Sequence, residues 1–357
     1  MINKIKLDQC TIIINNKSIS CLLDVIKKIN PTKVFILLDK NSKKYCLPIL
    51  LTHVSVLNSA HILELENGES AKTINSVKSV CNLLLSKNVD RKSLMINLGG
   101  GVVSDLGGFV ASIIKRGINF INIPTTLMSQ VDAAIGGKVA VNFDHYKNQI
   151  GLFSIPNAIF IHFPFTNSLS DFELISAYAE ILKYGLIYDK LLWENIQLKN
   201  INKVNLPAII SKCIRIKVDI VKRDYFDNNE RRKLNFGHSI SHAIESIFLV
   251  KNIDITHGHA LFIGLICESY ISHKIFSFSP NILDGIVKVI FKYFKYRDIK
   301  LIDNNLLLEF IKKDKKNVDN NYNFTLIQDI GKSVVNCSVS DDLIFSSLNY
   351  YRYLCPV

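Results

Sequence analysis

Three histidines and one glutamate have the types and spacing of metal ligands. His238 and His242 are four residues apart, so they share one face if the segment is helical. His257 begins a second apolar helical stretch, and Glu180 lies in another. A catalytic zinc ion needs nitrogen or carboxylate ligands from at least three positions and one open coordination position. Each residue alone is more simply a hydrogen-bonded structural residue, but together they favour a catalytic metal site.

A glycine triplet could hold a phosphate group. Gly99 to Gly101 follow a strand-like run and precede a helical pattern, and backbone amides at a helix start can bind an anion. Alone this signal is weak, because tight turns also use glycine for positive φ. Two segments strengthen it, Asp39 to Asn41 and Asn67 to Glu69 with Lys72. Acidic residues at strand ends typically hold the ribose hydroxyls of a dinucleotide, so a dinucleotide site is predicted.

A further group of polar residues interrupts the same apolar, glycine-rich half. It contains Arg116, Asp132, Lys138 and the pair Lys147-Asn148, with the hydroxyl-rich segment 125–129 among them. Arginine forks and lysine point charges suit phosphate and carboxylate groups, and a carboxylate such as Asp132 suits sugar hydroxyls. Each lysine by itself is more simply a solvated side chain. The mixture favours a substrate that is an anionic polyol.

The two halves of the chain differ in the elements that must position these residues. With 357 residues, 48% of them hydrophobic, the chain can bury a large core and is expected to form two domains. In residues 1–172, short aliphatic runs alternate with helical patterns, which is typical of an α/β fold. In residues 173–357, long amphipathic stretches predominate and predict an all-helical domain. The runs that predict strands are Lys33–Leu38, His53–Leu57, Leu94–Leu98 and Phe120–Ile123.

Composition argues against several other classes of protein. The 43 Lys and Arg against 31 Asp and Glu give a net charge of +12, but no basic stripe is interleaved with aromatic residues, so nucleic-acid binding is not expected. The most apolar window, Leu94 to Ile114, contains Asp105 and several glycines, which argues against a membrane span. The eight cysteines are scattered and residues 1–16 lack a secretory signal, so we expect reduced thiols in a cytoplasmic protein.

Nine motifs lie in order along nearly the whole chain. They are Gly99-Gly100-Gly101-Val102-x-x-Asp105, Arg116-Gly117, Pro124-Thr125-Thr126-Leu127-x-Ser129-Gln130-Val131-Asp132, Gly136-Gly137-Lys138, Lys147-Asn148, Ala179-Glu180-x-x-Lys183-Tyr184-Gly185, Leu234-Asn235-x-Gly237-His238-x-x-x-His242-Ala243-x-Glu245, His257-Gly258 and Asp314-Lys315-Lys316. This ordered set resembles the 3-dehydroquinate synthase family. It is shared only with a few relatives, such as the sugar-phosphate cyclases that make 2-deoxy-scyllo-inosose or valiolone.

The resemblance implies a fold and a reaction. Residues 1–172 would form an α/β, Rossmann-like NAD-binding domain and residues 173–357 an all-α metal- and substrate-binding domain, with the active site in the cleft between them. The substrate would be a phosphorylated sugar acid, 3-deoxy-D-arabino-heptulosonate 7-phosphate, and the product 3-dehydroquinate, an intermediate of the shikimate pathway to aromatic amino acids. With Zn2+ or Co2+ present, NAD+ would transiently oxidise the C5 hydroxyl, phosphate would be eliminated, the hydride would return, and an intramolecular aldol step would close the ring.

The resemblance also implies roles for particular residues. The metal ligands would be Glu180, His238 and His257, whereas His242 would relay protons. Arg116 would reach the phosphate from the other subunit of a homodimer, and Lys315 or Lys316 would add an anion contact. The other substrate-binding residues would be Asp132, Lys138, Asn148, Lys183, Lys217, Arg231 and Asn235. NAD would be held by Asp39, Asn41, Asn67, Gly68, Glu69, Lys72, Gly100, Gly101, Val102, Val103, Ser104, Asp105, Thr125, Thr126, Lys138, Lys147 and Ser168.

Some alternatives stay open. The family usually has an acid where this chain has His259, so His259 could be a fourth imidazole at the ion or could change the surroundings of the ligands. Ser104 stands where glycine is usual in the phosphate loop. An NAD-dependent polyol or glycerol dehydrogenase would use the same kinds of cofactor and metal, but it would release NADH.

Overall fold

A seven-stranded sheet lies at the centre of the first of the two units into which the chain divides, Met1–Glu173 and Leu174–Val357. The structure is a computed structural model and describes residues 3–144, 146–198, 205–312 and 322–354. Within these ranges, none of the helices combines the length and apolarity needed to cross a membrane. None of the cysteines in the described ranges forms a disulfide bond.

The first unit alternates strands with helices. Its strands are β1 (Asn3–Leu7), β2 (Cys10–Ile14), β3 (Val34–Asp39), β4 (His61–Leu65), β5 (Leu94–Gly99), β6 (Asn119–Pro124), β7 (Lys138–Phe143), β8 (Tyr146–Phe153) and β9 (Ala158–Ile161). Its α-helices are α1 (Leu22–Ile29), α2 (Lys40–Tyr45), α3 (Leu47–His53), α4 (Ile74–Ser86) and α5 (Gly101–Ile113). The α/β fold predicted for this half is confirmed.

The strand order of the main sheet creates a switch point beside the glycine triplet. The order is β1-β2-β9-β6-β5-β3-β4, and all neighbouring strands are parallel except β1 and β2. The chain forms β4 on one side of β3 and then crosses to form β5 on the other side. In open α/β sheets, ligands bind beyond the carboxyl ends of the strands at such a reversal. Asp39 ends β3 and Gly99 ends β5, so two predicted dinucleotide-binding segments flank the switch point.

The central strands are buried on both faces. Every residue of β5 is buried, which matches its continuous apolar run. Ile96 and Leu98 belong to the hydrophobic cluster that contains Leu22 and Ile26 of α1. Met95 belongs to the opposite cluster, which contains side chains of α4 and α5. The sheet is therefore fixed from both sides, and the loops at its carboxyl edge extend from a rigid base.

One predicted strand is wrong. The sequence predicts a strand at His53–Leu57, but Ser55–Ser59 form a 3-10 helix and β4 begins only at His61. Val54 and Leu57 are buried, whereas Val56 is 53% exposed. A spacing of three between buried residues fits a 3-10 turn, since a half-buried strand would bury every second residue.

The second unit is mainly helical. Its helices, the first of which begins in the last residues of the first unit, are α6 (Asp171–Ile187), α7 (Lys190–Leu198), α8 (Leu206–Arg223), α9 (His238–Val250), α10 (His257–Phe276), α11 (Pro280–Tyr293), α12 (Asn304–Lys312) and α13 (Asp341–Tyr353). Strands β10 (Phe324–Asp329) and β11 (Lys332–Cys337) form an antiparallel hairpin. The helical class predicted for this half is confirmed, and the hairpin is an addition that the amphipathic pattern does not predict.

Helix α10 is the central element of the second unit. It packs against α9, α11, α13 and β10. Two of its glycines permit very close contacts: a Cβ on Gly258 would lie 1.9 Å from the carbonyl oxygen of Ser176, and one on Gly264 would lie 2.0 Å from that of Gly237. Because only glycine fits at these contacts, the backbone of α10 lies directly against α6 and against the turn before α9.

Candidate functional site

Three helices of the second unit bring the predicted metal ligands together. Glu180 lies in the middle of α6, whereas His238 and His257 are the first residues of α9 and α10. Glu180 Oε1 is 3.2 Å from His257 Nε2 and 3.4 Å from His238 Nε2. One ligand atom from each residue can be chosen so that all three lie within 4.8 Å of one another. One carboxylate and two imidazoles are a donor set that catalytic zinc sites use.

Hydrogen bonds orient both imidazoles for this role. His257 Nδ1 donates to Glu245 Oε2 at 3.4 Å, and His238 Nδ1 donates to the Phe236 carbonyl oxygen at 3.1 Å. A carboxylate and a carbonyl can only accept, so each Nδ1 carries a proton, and each Nε2 faces the carboxylate of Glu180. Metal-binding histidines commonly have such an acceptor behind them. The two rings are thus oriented so that Nε2 of each can bind a metal ion beside Glu180.

The charges around Glu180 favour its ionised form. Burial acts to raise the pKa of Glu180, but the ion pair with Lys183 and the hydrogen bonds to both imidazoles outweigh it and hold the pKa well below its usual range. Burial, followed by the charge of Lys183, lowers the pKa of His238 to about 3. At His257 burial also acts to lower the pKa, but the carboxylates of Glu245 and Glu180 raise it to about 10. The proton on His257 is therefore stabilised by the carboxylates of Glu245 and Glu180. The same negative charges would stabilise a bound metal cation.

A second group of residues in the described chain could also bind a metal. It consists of His242, Glu245 and His257. The two groups share His257, and within the second group the Nδ1 of His257 already donates to the Glu245 carboxylate. The first group is also the more buried of the two, since Glu180 and His238 are both buried. The first group is therefore the stronger candidate for a metal site. The ring of His242 lies 5.1 Å from that of His238. This distance does not test whether His242 relays protons, so that role stays a prediction.

His259 belongs to neither of these groups. Its Nδ1 lies 2.5 Å from Thr256 Oγ1, and its ring packs edge-on against Phe294 at 5.1 Å. Thr256 is the N-cap of α10, and His259 is the third residue of that helix. The family's usual glutamate at this position would form a capping box with the threonine. The departure at His259 thus concerns the start of α10 rather than an additional ligand.

Four of the predicted substrate-binding residues lie in the second unit, and one of them, Lys183, is paired with the metal ligand candidate Glu180. Lys183 and Lys217 are buried lysines on α6 and α8, and Arg231 is a buried arginine whose Nη1 donates to the Tyr225 carbonyl oxygen at 2.7 Å. Buried cations are rare unless they are paired or bind an anion. The buried Nδ2 of Asn235 has no hydrogen-bond partner among the described residues. These groups are suited to bind a carboxylate, a phosphate and hydroxyl groups.

In the first unit, the glycine triplet forms an open helix start. Gly100 is the N-cap of α5, and glycine has no side chain with which to cap this helix. Its first N–H groups and the positive end of its dipole are therefore offered to an anion. A Cβ on Gly100 would lie 3.1 Å from Thr126 Cγ2, and one on Gly101 would lie 3.2 Å from Ala133 Cβ. Side chains at either position would crowd this contact, so glycine keeps the amides close to their neighbours and accessible.

A polar network next to this helix start includes four predicted residues. The buried Lys72 Nζ donates to Asp105 Oδ2 at 2.6 Å and to Asn148 Oδ1 at 2.5 Å. The backbone amide of Asn148 donates to Asn142 Oδ1 at 2.9 Å, and Asn142 Nδ2 donates to Glu69 Oε1 at 2.8 Å. Residues distant in the sequence are thus brought into one hydrogen-bonded group at the carboxyl edge of the sheet.

The segments predicted to bind ribose hydroxyls lie at the ends of β3 and β4. Asp39 Oδ1 accepts from the Ser42 amide at 2.7 Å and caps α2, and Asn67 Oδ1 accepts from the Lys40 amide at 3.0 Å. Asn67 Nδ2 lies 3.5 Å from Asn41 Oδ1. The structure therefore brings these predicted residues together at the switch point of the sheet.

The remaining predicted residues have the following positions. Val102, Val103 and Ser104 are in the first turn of α5, Gly68 follows Asn67, Thr125 and Thr126 follow β6, Asp132 is in a π-helical turn, Lys138 begins β7, Lys147 is in β8, and Ser168 ends the 3-10 helix Phe163–Ser168. Lys315 and Lys316 lie outside the described residues.

Arg116 is the predicted residue that the structure separates from its group. It follows α5 at the end opposite to the glycine triplet, and thirteen helical residues span about 20 Å. Its side chain is exposed, and both Lys115 and Arg116 have positive φ, 52° and 65°. Within one chain, Arg116 is therefore far from the glycine triplet.

Sequence reasoning gave no role to Glu245 or to Glu268. Both are buried carboxylates on α9 and α10, at 3% and 0% exposure. The signal that could have identified them is an acid within a helix that is otherwise apolar, since such an acid must have a partner. The partner itself is a residue of another segment and is not visible in the sequence.

Comparison with known proteins gives matches over most of the chain. A family model described as "3-dehydroquinate synthase N-terminal" matches residues 62–176, and one described as "3-dehydroquinate synthase C-terminal" matches residues 177–317. The 3-dehydroquinate synthase of Parabacteroides distasonis is 38% identical over 334 residues, which cover 93% of this chain and 94% of that protein.

Solved structures share the fold at lower identity. The 2-epi-5-epi-valiolone synthase from Streptomyces hygroscopicus subsp. jinggangensis 5008, with NAD+ and Zn2+ bound, has a TM-score of 0.87 and 21% identity, and the match covers 99% of this chain and 98% of that one. A 2-deoxy-scyllo-inosose synthase in complex with carbaglucose-6-phosphate, NAD+ and Co2+ has a TM-score of 0.83 and 20% identity, with 98% and 99% covered.

Proposed function

This chain belongs to the 3-dehydroquinate synthase family and is an enzyme of the shikimate pathway, and we propose that it converts 3-deoxy-D-arabino-heptulosonate 7-phosphate to 3-dehydroquinate and inorganic phosphate. The reaction makes the enzyme a carbon–oxygen lyase, and it requires NAD and a divalent metal ion, Zn2+ or Co2+, with no net oxidation. One observation supports this function at the level of individual residues. Glu180, His238 and His257 come together from three helices, beside the buried cation Lys183.

The donor set fits a divalent ion. Glu180, His238 and His257 would hold it through one carboxylate oxygen and two Nε2 atoms, which leaves further coordination positions for substrate oxygens. When bound, the ion lowers the pKa of a coordinated hydroxyl and polarises a carbonyl. Glu245 and the Phe236 carbonyl keep both imidazoles in the required tautomer.

The first unit fits NAD. The glycine start of α5 at Gly100 would bind the pyrophosphate, and the segments at Asp39 and Asn67 would bind ribose hydroxyls, since they flank the switch point of the sheet. NAD+ supplies a hydride acceptor that is regenerated within each turnover. Lys72 holds Asp105 and Asn148 beside this loop and would thereby keep its shape.

The chain's own cations and amides would bind the substrate. Lys183, Lys217 and Arg231 would bind its carboxylate and phosphate, and the unsatisfied Asn235 Nδ2 would donate to one of its oxygens. His242 lies one helical turn after His238 and would move the proton of a substrate hydroxyl. We propose that Asp132 and Lys138 also bind substrate oxygens.

A homodimer would explain the position of Arg116. This residue is about 20 Å from the glycine triplet of its own chain, yet an exposed arginine on a left-handed turn can reach a neighbouring molecule. We propose that Arg116 binds the substrate phosphate in the active site of the partner subunit and that Lys316 adds a further anion contact. We also propose that the enzyme acts in the cytoplasm. Loss of activity in Arg116→Ala, restored when it is mixed with an inactive Glu180→Gln subunit, tests this arrangement.

The reaction itself tests the proposed function. Metal-loaded protein is incubated with the heptulosonate phosphate and a catalytic amount of NAD+, and phosphate and dehydroquinate are measured together. We expect equal amounts of both products and no accumulation of NADH, and Glu180→Gln should abolish turnover whereas Glu309→Gln, an exposed acid on α12, should not. Stoichiometric NADH formed from a simple polyol would instead identify a dehydrogenase and refute the proposal.

A further inference from the structure

Helix α9 begins without a capping side chain of its own. Its N-cap is Gly237, at φ 81°, and the helix starts with the buried His238. The first N–H groups of a helix have no acceptor within the helix, and buried donors that stay unpaired are costly. An acceptor from elsewhere must therefore hold this end of α9.

Glu268 of α10 supplies that acceptor. Its Oε2 accepts from the Gly237 amide at 2.6 Å, and its Oε1 accepts from the Ile240 amide at 3.2 Å. The residue is completely buried. A buried carboxylate needs strong hydrogen bonds or a positive potential, and the start of α9 provides both. The two hydrogen bonds lie on either side of His238 in the sequence, so they fix the backbone from which this histidine extends.

The contact between the two helices leaves little freedom at this point. Gly264, one turn before Glu268 on α10, has its Cα so close to the Gly237 carbonyl oxygen that a Cβ would approach it to 2.0 Å. The ring of His238 is oriented by the Phe236 carbonyl, which directly precedes the same turn. The position of the Gly237 turn on α10 thus sets both the Cα and the ring direction of His238. The same helix provides His257 as its first residue.

We infer that Glu268 is a positioning residue for the metal centre. By hydrogen-bonding the Gly237 turn, it keeps His238 Nε2 at its distance from Glu180 and His257, although it is not itself among the described metal-binding groups. This inference rests on the proposed function, because that function assigns the ion. Residues that orient ligands in this way typically change metal affinity about 10- to 100-fold when they are replaced.

Glu268→Gln is the variant that tests the inference. Glutamine has nearly the same volume, but its Nε2 would face one of the two amide donors, so only one hydrogen bond to α9 can persist. We expect Co2+ to bind about 10- to 100-fold more weakly, with a changed visible absorption spectrum because the ligand geometry differs. We also expect faster amide hydrogen exchange at Gly237 and Ile240 in the metal-free protein. Glu268→Asp, which retains the charge on a shorter side chain, serves as the second variant if Glu268→Gln does not fold.

Ser272→Ala is the matched control on the same helix. Ser272 is also completely buried, its Oγ donates to the Glu268 carbonyl oxygen at 2.6 Å, and it accepts from the Ile327 amide of β10 at 3.1 Å. Its loss should lower thermal stability while leaving the Co2+ affinity and spectrum unchanged.

The possible outcomes separate the inference from the proposed function. A wild-type Co2+ affinity and spectrum in Glu268→Gln would overturn the positioning role and leave the metal centre intact. Unchanged amide exchange at Gly237 would overturn it as well, without reference to any metal. Failure of the wild-type protein to bind Co2+ would overturn the proposed metal centre and, with it, the inference. A Ser272→Ala variant with the same spectral change would show that general loosening of α10 is the cause, which also contradicts the positioning role.

Discussion

Gly258→Ala is expected to separate the helices that hold the metal ligands. A Cβ at this position would lie 1.9 Å from the Ser176 carbonyl oxygen and 2.5 Å from two further backbone atoms of Ser176, which no rotamer change can move. To reach an ordinary contact distance, the start of α10 would have to shift by about 1.5 Å away from α6. Ser176 is one helical turn before Glu180, and Gly258 directly follows His257. The shift therefore acts on the Glu180–His257 distance.

The size of this shift decides the expected effect. Bonds from a metal ion to its ligands tolerate deviations of about 0.2 Å, which is far less than the shift. We expect Zn2+ affinity to fall about 100-fold or more, and the free energy of unfolding to fall by about 1–3 kcal/mol, as is typical of overpacking. Competition with a chromophoric chelator measures the affinity, and thermal or urea denaturation of the metal-free protein measures the stability.

Two other alanine variants serve as controls that distinguish a change in the metal-ligand distances from a general change in the stability of the protein. Gly107→Ala would place a Cβ 2.0 Å from Asn97 Oδ1 in the first unit, so it should destabilise the protein without changing Zn2+ affinity. Gly285→Ala on α11 meets no atom within 4 Å and should stabilise the protein by about 0.5–1 kcal/mol. Zn2+ affinity in Gly258→Ala equal to that of the wild type would refute the reasoning, because it would mean that the close contact between α10 and α6 does not set the ligand distances.

Three further predictions concern other residues. His259→Glu should raise the free energy of unfolding by about 0.5–1 kcal/mol, because a glutamate there completes a capping box with Thr256 and lies near Arg297. Denaturation should show the higher stability, and a parallel Zn2+ titration should show unchanged metal affinity. Burial, and secondarily the charge of His53, lowers the pKa of His162 to about 4, so the folded state excludes a proton that the unfolded state binds below pH 6.5. The wild type should therefore lose up to about 3 kcal/mol of stability through this group as the pH falls from 6.5 to 4, and His162→Gln should remove that part of the slope in urea denaturation; an unchanged slope would contradict it. Lys183→Ala should lower kcat about 100-fold or more, while the dissociation constant for NAD stays within about twofold. If calorimetric titration instead shows that this variant loses mainly NAD binding, Lys183 does not have the proposed role in binding substrate.

Much of the first unit is predictable because its patterns are local. The run at Leu94–Leu98 is continuous and apolar, and it forms the fully buried strand β5 with the glycine triplet at its carboxyl end. The pattern failed at His53–Leu57, where β-branched residues suggest a strand but Val54 and Leu57 are buried three residues apart in a 3-10 turn. Residue type gave the preference there, and tertiary burial decided the conformation.

The candidate site is only partly predictable from residue spacing. The separation of four between His238 and His242 correctly places both on one helix, but the ligand atoms nearest to Glu180 come from His238 and His257 on different helices. That choice depends on how α9 and α10 cross α6, which local patterns do not contain. The resemblance to a family provided the assignment of Glu180, and the structure adds the reason, since Lys183 and both imidazoles converge on its carboxylate.

The properties of α10 explain why its role is hidden in the sequence. This helix is buried on almost all sides, so its apolar residues show no single face from which neighbours could be inferred. Its contacts nevertheless follow one another along the chain, with Gly258 against α6, Gly264 and Glu268 against the start of α9, and Ser272 against β10. A helix with one solvent-facing side could not hold three elements in this way. The two ligands that α10 provides or holds, His257 and His238, therefore depend on one helix, and changes at Gly258 or Gly264 should affect metal affinity more than changes in its C-terminal turns.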